Sequence, residues 1–211
     1  MTIPRPDHKE QPQLTPTPLT PENITGLELP ALPLVIDLDG TLIPFDLTWQ
    51  CTKTLFRRYP QTIWKGLYYW IAKGRVPYKE YVCRPDLVPV QSLPLHPTVM
   101  ALITHWHTTG QPVLLATGSP ASYVAGLVAH LGCFTASIAS CHHDNRIGMR
   151  KATLLNTRWG KGQYIYVGNS RQDFPVWENA AMGILVGQPL TWHRFCKKGA
   201  RIHHFITAPS L

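Results

Sequence analysis

No apolar run in this chain approaches the ~18 residues that a membrane-spanning helix needs. The N-terminus carries proline and charged residues where a signal peptide holds an apolar core. Cysteines are few and odd in number: Cys51, Cys83, Cys133, Cys141 and Cys196, with no Cys-x-x-Cys spacing. That argues against a disulfide framework or a zinc site and for a reducing compartment. Acids are scarce, 12 Asp and Glu against 20 Lys and Arg, giving a net charge of +8 and a pI of about 9.4. Such a balance favours anionic partners: phosphorylated metabolites, nucleic acid or acidic membrane surfaces. Helix-turn-helix, zinc-finger and RNA-binding signatures are missing, so nucleic acid is not the expected partner. These absences predict a soluble, cytoplasmic protein.

What is present is enough apolar residue, 44% of 211, for one catalytic domain with a small accessory domain. The chain is organised around Leu34-Val35-Ile36-Asp37-Leu38-Asp39-Gly40-Thr41-Leu42. The continuous apolar run reads as a buried parallel strand that ends in a turn. Asp37 and Asp39 are two residues apart, so in extended chain both carboxylates point to one side, beyond the strand's carboxyl end. Open α/β sheets keep their sites there. Two anions so close call for a shared proton or a cation, and Mg²⁺ suits oxygen ligands.

Two more strands end in the same way. Pro112 to Ser119 finishes in Thr117-Gly118-Ser119, where a hydroxyl and free backbone N–H groups ahead of a helix make an anion site. Tyr164 to Gly168 finishes in Asn169, with Asp173 four residues on. Helices are expected over 96–110, from Ser119 or Pro120 to Leu131, over 148–159 and over 174–181, with further strands over 134–140 and 183–187. Cys141-His142-His143-Asp144 holds metal-ligand types but reads first as an exposed loop.

Residues 1–33 are rich in proline and polar side chains and read as a disordered tail. Residues 43–95 read as an inserted helical segment broken at Pro60, Gly74 and Pro77. It mixes Trp and Tyr with eight Lys and Arg and carries only Asp46, Glu80 and Asp86 as acids, for a net charge of +5. It is either a small subdomain with an aromatic core, a cap that supplies cations to a phosphorylated substrate, or an aromatic and cationic belt suited to peripheral membrane contact. Residues 191–211 form a basic, aromatic tail without a fold assignment.

The ordered series Asp37-x-Asp39-Gly40-Thr41, Thr117, a basic helix, then Asn169 and Asp173 resembles the motifs of the haloacid dehalogenase-like superfamily. The resemblance implies an α/β, Rossmann-like three-layer parallel sheet built from 34–42 and 96–190, with a helical cap over 43–95 after the first strand. It implies that Asp37 attacks phosphorus, that Asp39 is the general acid and base, and that Thr117 with the Gly118 backbone binds phosphoryl oxygens. Mg²⁺ would be held by Asp37, Asp39, Asn169 and Asp173. A lysine opening the basic helix steadies the phosphoaspartate; Lys151 stands a few residues late, so either Lys151 reaches the site or Arg146 substitutes. Asn169 departs from the usual acid of this motif and brings no charge. Leu115 to Ser119 and Val167 to Trp177 look more narrowly like the domain fused ahead of UbiA-type prenyltransferases, of which this chain looks like a stand-alone form. The resemblance implies a phosphatase acting on a small, isoprenoid, sugar or lipid-linked phosphate. The rival is a non-catalytic phosphate- or partner-binding module beside a membrane prenyltransferase.

Overall fold

Seven parallel strands form one sheet in the computed structural model, which describes residues 18–26, 29–141 and 144–208. In chain order they are β1 (Pro18–Leu19), β2 (Leu34–Ile36), β3 (Val113–Pro120), β4 (Ala136–Ser140), β5 (Ile165–Gly168), β6 (Met182–Gly187) and β7 (His204–Thr207). Their order across the sheet is β1-β7-β6-β5-β2-β3-β4. The chain runs outward from β2 through β3 to β4, then returns to lay β5 on the other flank of β2. That reversal is the point at which an open parallel sheet leaves a crevice.

The central strands are apolar throughout because both faces are covered. Every residue of β2, β3 and β5 is buried. Leu34 and Ile36 pack into one hydrophobic cluster and Val35 into the other, on opposite sides of the sheet. Helices α1 (Leu47–Arg58), α2 (Ile63–Tyr68) and α3 (Arg75–Val82) lie between β2 and β3, and α4 (Pro97–Thr108) leads into β3. The sheet is then crossed by α5 (Ala121–Leu131), α6 (Gly148–Trp159), α7 (Phe174–Trp177) and α8 (Pro189–Cys196). Leu47, Cys51 and Leu55 of α1 and Tyr78 and Val82 of α3 join the same cluster as Leu34 and Ile36. The inserted segment is therefore fastened to the sheet by a shared core.

Several expectations need correction. Part of the stretch read as a disordered tail is folded: Pro18 and Leu19 pair with Phe205 and Ile206, and Leu19 and Ile24 are buried. Proline is admissible there because the strand is an edge; residues 1–17 lie outside the described residues. The C-terminal stretch is not a tail: α8 and β7 occupy it, and β7 pairs with β6 from Ile184↔His204 to Gly187↔Thr207. Two buried residues, Phe205 and Ile206, are too few to show a period. Pro77 does not break the insertion; it sits in the first turn of α3, where no N–H is required. The helix expected over 174–181 stops at Trp177. His142 and His143 lie outside the described residues, and among those described no three His, Cys, Asp or Glu cluster to hold a metal.

Candidate active site

Because β3 and β5 flank β2, with Ile36 level with both Leu115 and Val167, three strand ends meet. The Asp37 N–H continues the ladder by donating to the Val167 carbonyl at 2.9 Å. The chain then folds back on itself, with the Leu42 N–H donating to the Asp37 carbonyl at 3.3 Å and the Gly40 N–H to the Phe45 carbonyl at 3.2 Å. Gly40 has a φ of +71°, and a Cβ there would collide with the Asn169 side chain. Glycine is needed on both counts.

A cavity of about 780 Å³ opens over these tips. Asp37, Asp39, Gly118, Lys151, Asn169 and Asp173 line it from the sheet side. Trp49, Trp70, Arg75, Tyr78 and Lys79 line it from the inserted helices.

Lys151 is the hub. Its ammonium sits 2.8 Å from Asp37 Oδ1, 3.6 Å from Asp173 Oδ1 and 2.9 Å from the Tyr166 hydroxyl oxygen, at 3% exposure. It is the fourth residue of α6, and helical side chains lean toward the N-terminus, so its stem reaches back over the first turn to the strand tips. Arg146 does not substitute: it pairs with Asp144 at 3.2 Å and is not part of the cavity lining. Lying before the helix, it is turned toward the loop's own carboxylate.

Asp37 and Asp39 share the cavity but not their partners. Asp37 Oδ1 is taken by Lys151, and Oδ2 accepts no hydrogen bond among the described residues. Asp39 Oδ1 accepts the Leu47 N–H at the start of α1 at 2.7 Å, and Oδ2 accepts the Ser119 hydroxyl at 2.9 Å. Burial pushes the Asp37 carboxyl up to about 7; Lys151 opposes this, while Asp173 and Asp39 add to it. Burial also raises Asp39 above its usual range, against the opposing Leu47 N–H. For Lys151 burial is the largest single influence and pulls downward, but the carboxylates of Asp37 and Asp173 together win and raise it.

Thr117 is placed differently from expectation. Its side chain is fully buried and absent from the lining, its hydroxyl accepting the Ser119 N–H at 3.0 Å and lying 3.4 Å from Asp39 Oδ2. It holds Asp39 and the turn, while Gly118 is the residue of this turn that faces the cavity. Asp173 is also more engaged than expected. Its Oδ2 accepts the N–H of Asn169 and the N–H and hydroxyl of Ser170, and its Oδ1 accepts the Tyr166 hydroxyl at 2.6 Å. Asp173 thus anchors Lys151 and the loop after β5.

Sequence reading missed Tyr166 and singled out neither Ser119, met only as the end of the Thr117-Gly118-Ser119 turn, nor Lys79, met only as one of eight cations in the insertion. Tyr166 is buried on β5, and its hydroxyl joins Lys151 to Asp173. Burial first, then the carboxylates of Asp173 and Asp37, hold its phenol well above its ordinary pKa and keep it a proton donor. A tyrosine three residues before Asn169 in an apolar strand was the available signal. Lys79 could not be found by spacing; it comes from α3 and donates to the Gly118 carbonyl at 2.8 Å.

Asp37, Asp39 and Asn169 line the cavity and offer hard oxygen donors, a donor chemistry that fits Mg²⁺. With Asp173 occupied and Asn169 neutral, Asp37 would be the main anionic ligand of such an ion.

Residues 34–178 match the haloacid dehalogenase-like hydrolases, and the chain belongs to that family. A curated relative, the uncharacterized protein y4nM of Sinorhizobium fredii, is 33% identical over 156 residues, which are 74% of this chain and 30% of the relative. The chain thus spans under a third of that protein's length. Among solved structures, a haloacid dehalogenase family hydrolase, t0658, of Salmonella enterica serovar Typhi superposes with a TM-score of 0.59 at 16% identity, over 85% of this chain and 68% of that one. A phosphoserine phosphatase captured as a phospho-aspartyl intermediate analogue gives 0.55 at 12% identity, over 83% and 92%. At these identities the likeness is one of fold, and α/β with a parallel sheet is the shared class.

Proposed function

We propose that this protein is a Mg²⁺-dependent phosphomonoester hydrolase working through an aspartyl-phosphate on Asp37. The observation that carries the reading is Asp37 itself: a carboxylate at the tip of the central strand, 8% exposed, opening on a cavity, with one oxygen fixed by Lys151 and the other without a partner among the described residues. Asp37 Oδ2 attacks phosphorus as the bond to the leaving oxygen breaks, and Asp39 gives that oxygen its proton. Burial, which raises the Asp39 carboxyl above its ordinary range, favours its proton-bearing form. In the second half Asp39 takes the proton of a water that attacks the same phosphorus, and the Asp37–phosphorus bond breaks. Lys151 and the backbone beside Gly118 hold the equatorial oxygens, and Lys79 and Arg75 add positive charge from the cap. A bound Mg²⁺ supplies charge neutralisation between carboxylate and phosphate. The captured phospho-aspartyl analogue of the phosphoserine phosphatase supports this chemistry by fold.

The substrate side of the cavity is aromatic and cationic, with Trp49, Trp70, Tyr78, Arg75 and Lys79, which suits a phosphate on an apolar or sugar body. The matched stretch is 30% of y4nM, so a domain of this kind stands within a longer protein there. Phosphate release from para-nitrophenyl phosphate and a metabolite panel tests the reading. Turnover is expected with Mg²⁺ and is lost with a chelator. Tight phosphate binding without release across the panel would instead favour a non-catalytic module, the reading that neutral Asn169 supports.

Asn169 also yields a prediction of its own. Asn169→Asp adds one formal charge beside Asp37 and should tighten Mg²⁺ binding on the order of tenfold, as about 1.4 kcal/mol of added attraction implies. Calorimetric titration with Mg²⁺ reads this directly.

A further inference from the structure

The helical run from Ile63 through Lys73 has almost no inside. α2 continues through a wider turn over Tyr69–Lys73, and in the whole run only Gly66 is buried. A Cβ on Gly66 would come within 2.7 Å of the Phe56 ring, so the missing side chain is what lets this helix lie against α1. Outward, Ile63, Trp64, Leu67, Tyr68 and Ile71 recur at helical spacing and are 43%, 77%, 45%, 54% and 72% exposed. A single exposed apolar residue is ordinary. Five on one helical face make an unpartnered surface.

The charge around this ridge is predominantly positive, with Asp86, to whose backbone carbonyl Arg58 donates at 3.3 Å, already paired with Arg84. Lys65 and Lys73 stand on the same helix, and Lys53, Arg57 and Arg58 on α1. None of the five forms an ion pair among the described residues. Lys53, Arg57 and Arg58, with Gln50 and Thr54, also line a recess of about 740 Å³ on the outer face of α1. The surface continues to the active-site mouth: Trp49, with Lys53 5.9 Å from its ring, and Trp70, with Arg75 at 5.9 Å, both line the main cavity.

We propose that helix 63–73 and the outer face of α1 dock this protein onto an anionic lipid bilayer. Trp64 and Ile71 enter the headgroup layer, and the flanking lysines and arginines meet lipid phosphates. Charge complementarity selects this occupant. A protein groove would bury the apolar ridge but would need a matching carboxylate for each flanking cation. A bilayer offers apolar depth and diffuse negative charge together. Indole and phenol rings, apolar with one polar edge, suit that boundary. Docking needs neither metal nor turnover, so it stands or falls apart from the hydrolytic reading. It brings the cavity mouth to the headgroup layer.

Co-sedimentation of the full chain with vesicles tests it, using phosphatidylcholine alone and phosphatidylcholine with roughly 30% phosphatidylglycerol. The protein is expected to bind the anionic vesicles at least tenfold more tightly and to be released by on the order of 0.5 M NaCl. Trp64→Ser with Ile71→Ser, and separately Lys65→Gln with Lys73→Gln, should each weaken binding tenfold or more while circular dichroism and melting temperature hold. Failure of the unaltered protein to sediment, or equal binding by both double variants, overturns the proposal. So does a dimer without lipid that Trp64→Ser with Ile71→Ser makes monomeric, because the ridge would then join two copies.

Discussion

Asp37→Asn is expected to lower phosphate release by a factor on the order of 10⁴ or more, because in the proposed mechanism it removes the attacking oxygen rather than a helper. The same change is expected to make the metal-free protein more stable at neutral and alkaline pH. The sign follows from the raised carboxyl, about 7 in the fold against 3.8 ordinarily. A group raised on folding contributes fully below its unfolded value and loses that contribution as pH climbs through its folded value. Metal-free protein should therefore lose stability from about pH 4 to about pH 7, by at most about 4 kcal/mol from a shift of this size. Asp39, raised in the same direction, adds to the slope. Lys151, also raised, contributes its own loss only at alkaline pH beyond this window. Asp37→Asn flattens the profile, and Mg²⁺ added to the unaltered protein does the same by favouring the ionised carboxylate. Thermal melts at a series of pH values, with and without Mg²⁺, check both. An Asp37→Asn protein that still turned over at the native rate would refute the nucleophile assignment.

Lys151→Met should damage fold and function together. The lysine is the cation 2.8 Å from Asp37 and 3.6 Å from Asp173, and methionine of similar length leaves both carboxylates facing each other without it. Removing one partner from a buried charge set costs about 3–5 kcal/mol, which in a domain of this size lowers the melting temperature by on the order of 10 °C. Phosphate release should fall at least on the order of 10³-fold, since Asp37 then ionises less readily and the phosphoryl group loses its fixed cation. The double variant Asp37→Asn with Lys151→Met separates the causes. It should recover much of the lost stability, because one of the stranded anions is gone, and none of the activity. A double variant no more stable than Lys151→Met alone would show that the damage came from packing rather than from stranded charge.

The Lys151 result also shows why sequence reading stopped where it did. Spacing from other motifs set Lys151 late and left Arg146 as an alternative. The choice depends on how far a four-carbon stem reaches back along α6, which is a matter of three dimensions. Tyr166 was passed over because a tyrosine in an apolar strand is usually core. Its hydroxyl matters because Lys151 and Asp173 arrive from other elements. The C-terminal strand was missed because two buried residues have no period, and pairing with β6 supplies what pattern could not.

By itself the sequence determined the class of the fold and the order of its motifs. Apolar runs that break into Asp37-x-Asp39, Thr117-Gly118 and Asn169 can only be buried strands ending at a polar rim, since such runs must be covered on both faces and such tips cannot be. Tertiary structure decided which side chains touch. It gave Lys151 rather than Arg146 to Asp37, turned Thr117 inward to Asp39, and closed Asp173 into a network with Tyr166 and Ser170. Those choices depend on strand order and helix placement, which bring together residues more than a hundred positions apart such as Asp37 and Lys151, and no local pattern carries that information.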